Sequence, residues 1–258
     1  MSSTTTNVCV LTDLHIGDNT DIDFLEKIAS AVVDCDLIIL SGDIVNIEYK
    51  YVHPSPEKKQ IFIEKAMHLI GLMDKPFMFT LGNHDTIIVE GFWKEYFVGI
   101  LMADSHQIGE CNESGNACFH PSLGIAVLYT GRDYGIATVD CNGPNKTDVK
   151  WLNDNVGDRN IELFAIHIPP AQILGLEING VYDEKVCCWG EKDYNVGNEQ
   201  LANFTPKYSV FGHDHANIGI TEPHPETGTK YVYGFKSGHL SDSYDGNFPP
   251  NDPGYTLL

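Results

Sequence analysis

Side chains that can bind metal ions or move protons follow short apolar runs at several points along the sequence. They are aspartate, asparagine and histidine residues: Asp13, His15, Asp43, Asn83, His84, Asp85, His167, His213 and His215. Carboxylate, amide oxygen and neutral imidazole together suit iron, manganese or zinc, whereas calcium or magnesium would use oxygen ligands alone. The residue types therefore indicate a transition-metal site.

Two of these segments place candidate ligands two residues apart, in Asp13-Leu14-His15 and in His213-Asp214-His215. In an extended segment, residues at this spacing point to the same side and the middle residue points away. Each segment is therefore expected to supply two ligands to one metal site.

The elements that position these residues follow from hydrophobic periodicity. Short apolar runs predict buried strands at Val8–Leu11, Leu37–Leu40, Phe77–Leu81, Ile125–Tyr129, Leu163–Ile166, Tyr208–Phe211 and Tyr231–Phe235. Amphipathic patterns predict helices at Asp21–Asp34, Pro56–Leu72, Gly91–Leu101 and Thr147–Asn155. Strands that alternate with helices predict an α/β fold, in which ligands bind outside the carboxyl ends of the strands. The polar motifs are therefore expected to meet at one edge of the sheet.

Bulk composition narrows the class of protein. A chain of 258 residues with 42% hydrophobic content is long enough for one core and short for two, so residues 1–258 are expected to form a single domain. We expect no transmembrane helix and no membrane partner, because no run of about eighteen apolar residues occurs. A cytoplasmic location is expected, or a secreted one if a signal segment has been removed from a precursor.

The net charge of −20 argues against nucleic acid as a partner, since such binding depends on Lys and Arg. A phosphate ligand would instead be attracted by bound cations, which reverse the local electrostatics of an acidic site.

The seven cysteines lack paired CxxC spacing, and most are expected to be free thiols. Cys111 and Cys118 flank a segment rich in Gly and Asn, which could close as a disulfide loop in an oxidising compartment.

The motifs DLH, GDIVN, GNHD, the histidine of AIHIPP, and GHDH resemble the five motifs of the calcineurin-like metallophosphoesterase family, in family order. The segment EKVCC and the sequence GHDHAN further resemble the purple-acid-phosphatase-like branch. This resemblance implies a four-layer α/β/β/α sandwich with the site at the carboxyl ends of its strands.

The resemblance also implies a role for each residue. One metal ion would be held by Asp13, His15 and His215, the other by Asn83, His167 and His213, with Asp43 bridging them. Two such ions can share a water, lower its pKa and so provide a hydroxide nucleophile. His84 would donate a proton or hydrogen bond to the leaving oxygen, and Asp85 would orient His84 and stabilise its charge.

One position departs from the branch pattern. Purple acid phosphatases have a tyrosine three residues after the bridging aspartate, and this chain has Asn46 there. No tyrosinate-to-iron colour is therefore expected, and the departure favours a pair of Mn, Zn or Fe(II) ions in some combination as the expectation. Asn46 is expected to hydrogen-bond the site instead.

Three features of the sequence each allow two interpretations. Arg132 is either a phosphate clamp or a surface partner of Asp133, and His239 lies either at the site rim or in a turn. The long connection between Pro169 and Gly197 is either a substrate-shaping loop or a surface excursion.

These observations predict a metal-dependent phosphomonoesterase acting on small phosphate esters or phosphoproteins. A phosphodiesterase acting on cyclic nucleotides or other diesters is the alternative, because the same bimetallic core serves both reactions. A non-catalytic scaffold that keeps the fold is the alternative outside enzymes, and the sequence leaves the oligomeric state open.

Overall fold

Eleven strands and four helices are assigned in the computed structural model, which describes residues 6–18, 20–47, 54–85, 91–129, 144, 146–168, 205–212, 219–220, 228–233 and 256–257. In chain order they are β1 (Val8–Leu11), α1 (Ile22–Ala31), β2 (Leu37–Ser41), α2 (Pro56–Met73), β3 (Phe77–Thr80), α3 (Gly91–Ala103), β4 (Glu110–Cys111), β5 (Ala117–His120), β6 (Ile125–Leu128), α4 (Lys146–Val156), β7 (Leu163–Ile166), β8 (Tyr208–Phe211), β9 (Gly219–Ile220), β10 (Lys230–Tyr233) and β11 (Thr256–Leu257).

The strands form two sheets. The first has the order β11-β1-β2-β3, with β1, β2 and β3 parallel and β11 antiparallel to β1. The second has the order β4-β5-β6-β7-β8-β10-β9, and its strands β6, β7, β8 and β10 are parallel. Within each sheet, the carboxyl ends of the parallel strands therefore share one edge.

Side-chain alternation along the strands produces separate core layers. In β1, Val8 and Val10 pack between the two sheets, whereas Cys9 and Leu11 belong to the cluster that α1 and α2 share with the first sheet. In the second sheet, Leu128 and Ile166 pack in the cluster that contains α4 residues. The layer order is therefore helix, sheet, sheet, helix, which confirms the expected α/β sandwich.

The helices begin at residues that satisfy their first N–H groups. Asp21 caps α1 by accepting from the backbone N–H of Phe24 at 2.8 Å, and Ser55 caps α2 directly before Pro56. The four predicted helices agree with the structure to within a few residues at each end. Among the strands, the short hairpin of β4 and β5 was not predicted.

Four cysteines form disulfides in the structure. Cys111 and Cys118 pair across β4 and β5, as the sequence left open. Cys9 in β1 bonds to Cys35, which lies between α1 and β2. The expectation that most cysteines are free thiols was therefore wrong for this second pair, because the parallel pairing of β1 and β2 brings distant positions together. Cys141, Cys187 and Cys188 lie outside the described residues.

Across the described helices, none combines the length and the apolar character that crossing a membrane requires.

Candidate metal centre

The segments that follow β1 and β2 run side by side into the site. The backbone N–H of Asp13 donates to Gly42 O at 3.0 Å, and that of His15 donates to Asp43 O at 2.8 Å. Asp13, His15 and Asp43 adopt φ angles of 54°, 46° and 49°. The Asp13–His15 segment is therefore not the extended chain that its spacing suggested. Positive φ is uncommon outside glycine and clusters at functional sites, where the surrounding structure maintains it.

Asp43 lies at the centre of the arrangement. Its Oδ2 is 3.1 Å from His167 Nε2 and 3.7 Å from His15 Nε2, and its Oδ1 accepts from the backbone N–H of His84 at 2.7 Å. The residue is only 1% exposed. One carboxylate thus reaches a histidine from each sheet, which is the position that a bridging ligand requires.

His167 follows β7 in the second sheet and points toward the first. Its Nδ1 is 2.9 Å from Ser41 O, and its Nε2 is 3.2 Å from Asn83 Oδ1. A carbonyl oxygen only accepts, so Nδ1 carries the proton of this contact and Nε2 is left facing Asn83 and Asp43. The backbone of β2 therefore selects the tautomer that a metal ligand needs.

Asp13 completes the buried cluster. Its Oδ1 lies 4.0 Å from both His15 Nε2 and His167 Nε2. Two groups of three residues each place their potential ligand atoms within 4.8 Å of one another. The first group is Asp13, Asp43 and His167, and the second is His15, Asp43 and His84. Asp43 is the member common to both.

The electrostatics of this cluster fit a bound cation. Burial alone would raise the pKa of Asp43, but the imidazoles of His167, His84 and His15 hold it well below its usual range. Burial would lower the pKa of His167, but the carboxylates of Asp43 and Asp13 raise it to about 10. Acceptor atoms converge here in a buried cluster, and such groups require a proton or a metal ion between them. Asp43 Oδ2 also makes no hydrogen bond of acceptable geometry within the described chain.

His84 lies at the side of this cluster. Its ring packs edge-on against His15 at a centroid distance of 4.4 Å, and its Nδ1 is 2.9 Å from Asn46 Oδ1. The expected contact between Asn46 and the site is thus confirmed, and it is made to His84.

Asp85 accepts hydrogen bonds from three backbone N–H groups. Its Oδ1 accepts from the backbone N–H of Val45 at 2.8 Å, and its Oδ2 accepts from those of Gly82 and Ile44 at 2.8 and 3.2 Å. Burial and then the charge of Asp43 raise its pKa to about 7, against the opposing effect of these backbone hydrogen bonds. The carboxyl group thus joins the segments after β2 and β3, and each of these contacts is to backbone rather than to the His84 ring.

Comparison with known proteins assigns the chain to a family. The model of calcineurin-like phosphoesterases matches residues 6–217, most of the chain. The chain belongs to the calcineurin-like phosphoesterase family. The match confirms the family that the motifs indicated, and it makes the protein a metal-dependent hydrolase of phosphoric esters.

Solved structures share the fold of this calcineurin-like phosphoesterase. A dimetal phosphatase from Danio rerio superposes with a TM-score of 0.57 at 11% identity, covering 88% of this chain and 86% of that one. The protein TT1561 of Thermus thermophilus gives a TM-score of 0.51 at 12% identity, with coverages of 91% and 92%. At these identities the similarity shows the fold alone. No curated protein matches the sequence.

Close approach to the site requires glycine at Gly82 and Gly212 of the phosphoesterase, which entered the sequence prediction only as parts of the motifs GNHD and GHDH. A Cβ on Gly82 would lie 2.1 Å from Asp43 Oδ1, and one on Gly212 would lie 1.9 Å from Thr12 Oγ1 and 2.5 Å from Asp13 Oδ2. Both glycines directly precede a predicted ligand, and that position was the signal available in the sequence.

Several predicted residues of the phosphoesterase lie outside the described part of the chain: His213, His215, Arg132, His239 and the segment 169–197. Gly212, which directly precedes His213, is described, and its backbone N–H donates to His167 O at 2.9 Å. The chain therefore enters the GHDH segment beside Asp13 and His167.

Proposed function

We propose that this phosphoesterase is a phosphomonoesterase that hydrolyses small phosphate esters or phosphoproteins with two metal ions. The observation that carries the proposal is the position of Asp43, whose Oδ2 lies 3.1 Å from His167 Nε2 and 3.7 Å from His15 Nε2. A carboxylate reached from two sides can serve two cations at once.

The metal ligands proposed are those of the family pattern. Asp13, His15 and His215 would hold one ion, Asn83, His167 and His213 would hold the other, and Asp43 would contact both. The mixed nitrogen and oxygen ligands favour iron, manganese or zinc. When bound, the ions would supply positive charge to the phosphate and lower the pKa of water, so that hydroxide would be available as the nucleophile at neutral pH.

His84 is proposed to protonate the leaving oxygen. Asn46 Oδ1 lies 2.9 Å from Nδ1 and can only accept, so Nδ1 keeps its proton and Nε2 is the atom that exchanges one. The backbone N–H of His84 donates to Asp43 Oδ1 at 2.7 Å, which holds this histidine at a constant position relative to the bridging carboxylate.

Asp85 is proposed to act through the backbone. Its three accepted hydrogen bonds join the segment after β2, which carries Asp43, to the segment after β3, which carries Asn83. It thereby maintains the distance between a bridging ligand and a ligand of one metal.

Residues 1–258 are proposed to act as one domain, because the first sheet positions Asp13, Asp43 and Asn83 and the second positions His167. Neither sheet alone would assemble the site.

The deciding experiment combines metal analysis with a substrate panel. Purified protein is expected to contain about two transition-metal ions per chain. It should hydrolyse p-nitrophenyl phosphate faster than bis(p-nitrophenyl) phosphate, lose activity on chelation and regain it with Mn²⁺, Zn²⁺ or Fe²⁺. Faster hydrolysis of the diester would instead indicate a phosphodiesterase. A folded protein without bound metal or turnover would indicate a scaffold, and hydrolysis that survives complete metal removal would contradict both enzyme functions.

A further inference from the structure

Thr12 lies directly behind the predicted ligand Asp13. It is 5% exposed, and its Oγ1 is 2.7 Å from Asp13 Oδ2 and 2.9 Å from Ser41 O. Neither its residue type nor its position in the sequence marked it as functional.

The hydroxyl has one proton, and the carboxylate is the better acceptor. Asp13 Oδ2 is closer than Ser41 O, and a hydrogen bond to a charged oxygen is about twice as strong as one to a neutral oxygen. Ser41 O also accepts from Nδ1 of His167 at 2.9 Å. The hydroxyl therefore donates to Asp13.

This hydrogen bond sets the direction in which Asp13 points. With Oδ2 held by Thr12, Oδ1 is the oxygen that lies 4.0 Å from the Nε2 atoms of both His15 and His167. Gly212 packs against the same side, where an added Cβ would lie 2.5 Å from Oδ2. Oδ2 of Asp13 is therefore enclosed by Thr12 and Gly212, and Oδ1 faces the other predicted ligands.

We propose that Thr12 is a positioning residue, whose hydroxyl holds Asp13 Oδ2 so that Oδ1 is presented to a metal ion. This inference rests on the proposed function. It differs from a purely structural role, in which the hydroxyl would satisfy Ser41 O and stabilise the strand ends without affecting metal binding.

The test is Thr12→Val, which keeps the shape of the side chain and removes the hydroxyl. Mn²⁺ or Zn²⁺ is titrated by calorimetry into chelator-stripped protein whose fold has been checked by circular dichroism. Loss of an outer hydrogen bond to a metal ligand typically weakens affinity by about 10- to 100-fold. In Thr12→Val we expect this loss of affinity for one of the two ions, and we expect excess metal to restore most of the activity.

Two further variants isolate the hydroxyl. Thr12→Ser keeps it and should bind both ions with nearly wild-type affinity. Thr80→Val is the matched control, because Thr80 is also buried at the end of a strand and its Oγ1 donates to the carbonyl of its neighbour, Leu81 O, at 3.4 Å rather than to a predicted ligand. It should leave both affinities unchanged.

Wild-type affinity for both ions in Thr12→Val would overturn the inference, and so would an equal loss of affinity in Thr12→Ser. If Thr12→Val does not fold, Thr12→Ala removes the same hydroxyl and decides by the same comparison. A wild-type protein that binds no metal would refute the proposed function itself, which distinguishes that failure from a failure of the Thr12 assignment alone.

Discussion

Asn46 Oδ1 accepts a hydrogen bond from Nδ1 of His84 at 2.9 Å. The carboxylate of Asp85 accepts hydrogen bonds from the backbone N–H groups of Ile44, Val45 and Gly82. A neutral amide thus orients the proposed proton donor, and it does so without adding the charge that a carboxylate would bring.

Replacing Asn46 by aspartate should change the pH dependence of catalysis. A carboxylate at 2.9 Å from Nδ1 would stabilise the protonated imidazole and raise the pKa of His84. The protonated form would then persist to higher pH, and the alkaline limb of the kcat/KM profile should move upward. Asn46→Ala should lower kcat about tenfold through loss of one hydrogen bond to a charged group. An unchanged profile in Asn46→Asp would contradict this role.

Replacing His84 or Asp43 should separate proton transfer from metal binding. His84→Ala is expected to lower turnover by about 10²- to 10⁴-fold, the usual contribution of a general acid, while metal content is retained. Asp43→Asn removes the charge shared by both half-sites and should lose metal. Metal analysis together with kcat checks both, and the opposite pattern would reverse the assignments.

Gly82→Ala should disrupt the metal site by steric conflict. The added Cβ would lie 2.1 Å from Asp43 Oδ1, so the carboxylate or the segment after β3 must move. We expect metal content and activity to fall together. Gly71→Ala in α2 is the control, because no atom lies within 4 Å of its added Cβ and alanine favours the helix by about 0.5–1 kcal/mol. Normal metal binding in Gly82→Ala would contradict the close packing.

Asp85→Asn should lower stability. Oδ1 accepts one backbone N–H group and Oδ2 accepts two, so an amide nitrogen at either position would leave at least one buried backbone donor unsatisfied, at a cost of about 1–3 kcal/mol for each. Chemical denaturation of the metal-free protein measures this difference. A direct role on the His84 ring would instead lower kcat at unchanged stability.

The interaction of His106 with Asp104 and Asp74 should contribute to stability in a pH-dependent way, at a place remote from the proposed metal site. The hydrogen bond that the His106 ring donates to Asp104 raises the pKa of His106, against the opposing effect of desolvation and with a weaker contribution from Asp74. Because the folded pKa is raised, the stabilisation is complete below the unfolded pKa of about 6.5 and is lost as pH rises through the folded value.

An NMR titration of His106 tests this order of causes. Asp104→Asn should lower the pKa more than Asp74→Asn does. Equal shifts in the two variants would contradict the dominant role of Asp104, whose Oδ1 is 2.9 Å from Nδ1.

Much of the fold and of the candidate site could be read from local sequence. Strands and helices follow from hydrophobic periodicity, and Asp21 and Ser55 mark helix starts because a side-chain oxygen there satisfies free backbone N–H groups. Asp43 and Asn83 each follow a buried strand of the first sheet, so a shared edge of parallel strands places them near one another, whereas His167 follows a strand of the second sheet.

Only the tertiary structure decided which atoms face one another. The positive φ angles of Asp13 and Asp43, and the packing of one sheet on the other, orient these side chains, and neither is encoded by periodicity. The same packing brings Thr12 into hydrogen-bond contact with Asp13, Asn46 with His84, and Asp85 with the backbone. The sequence determined the chemistry available at the strand ends, because residue type and hydrophobic periodicity are local properties. The fold determined the geometry, because hydrogen-bond partners are selected by contacts between segments that are distant in the chain.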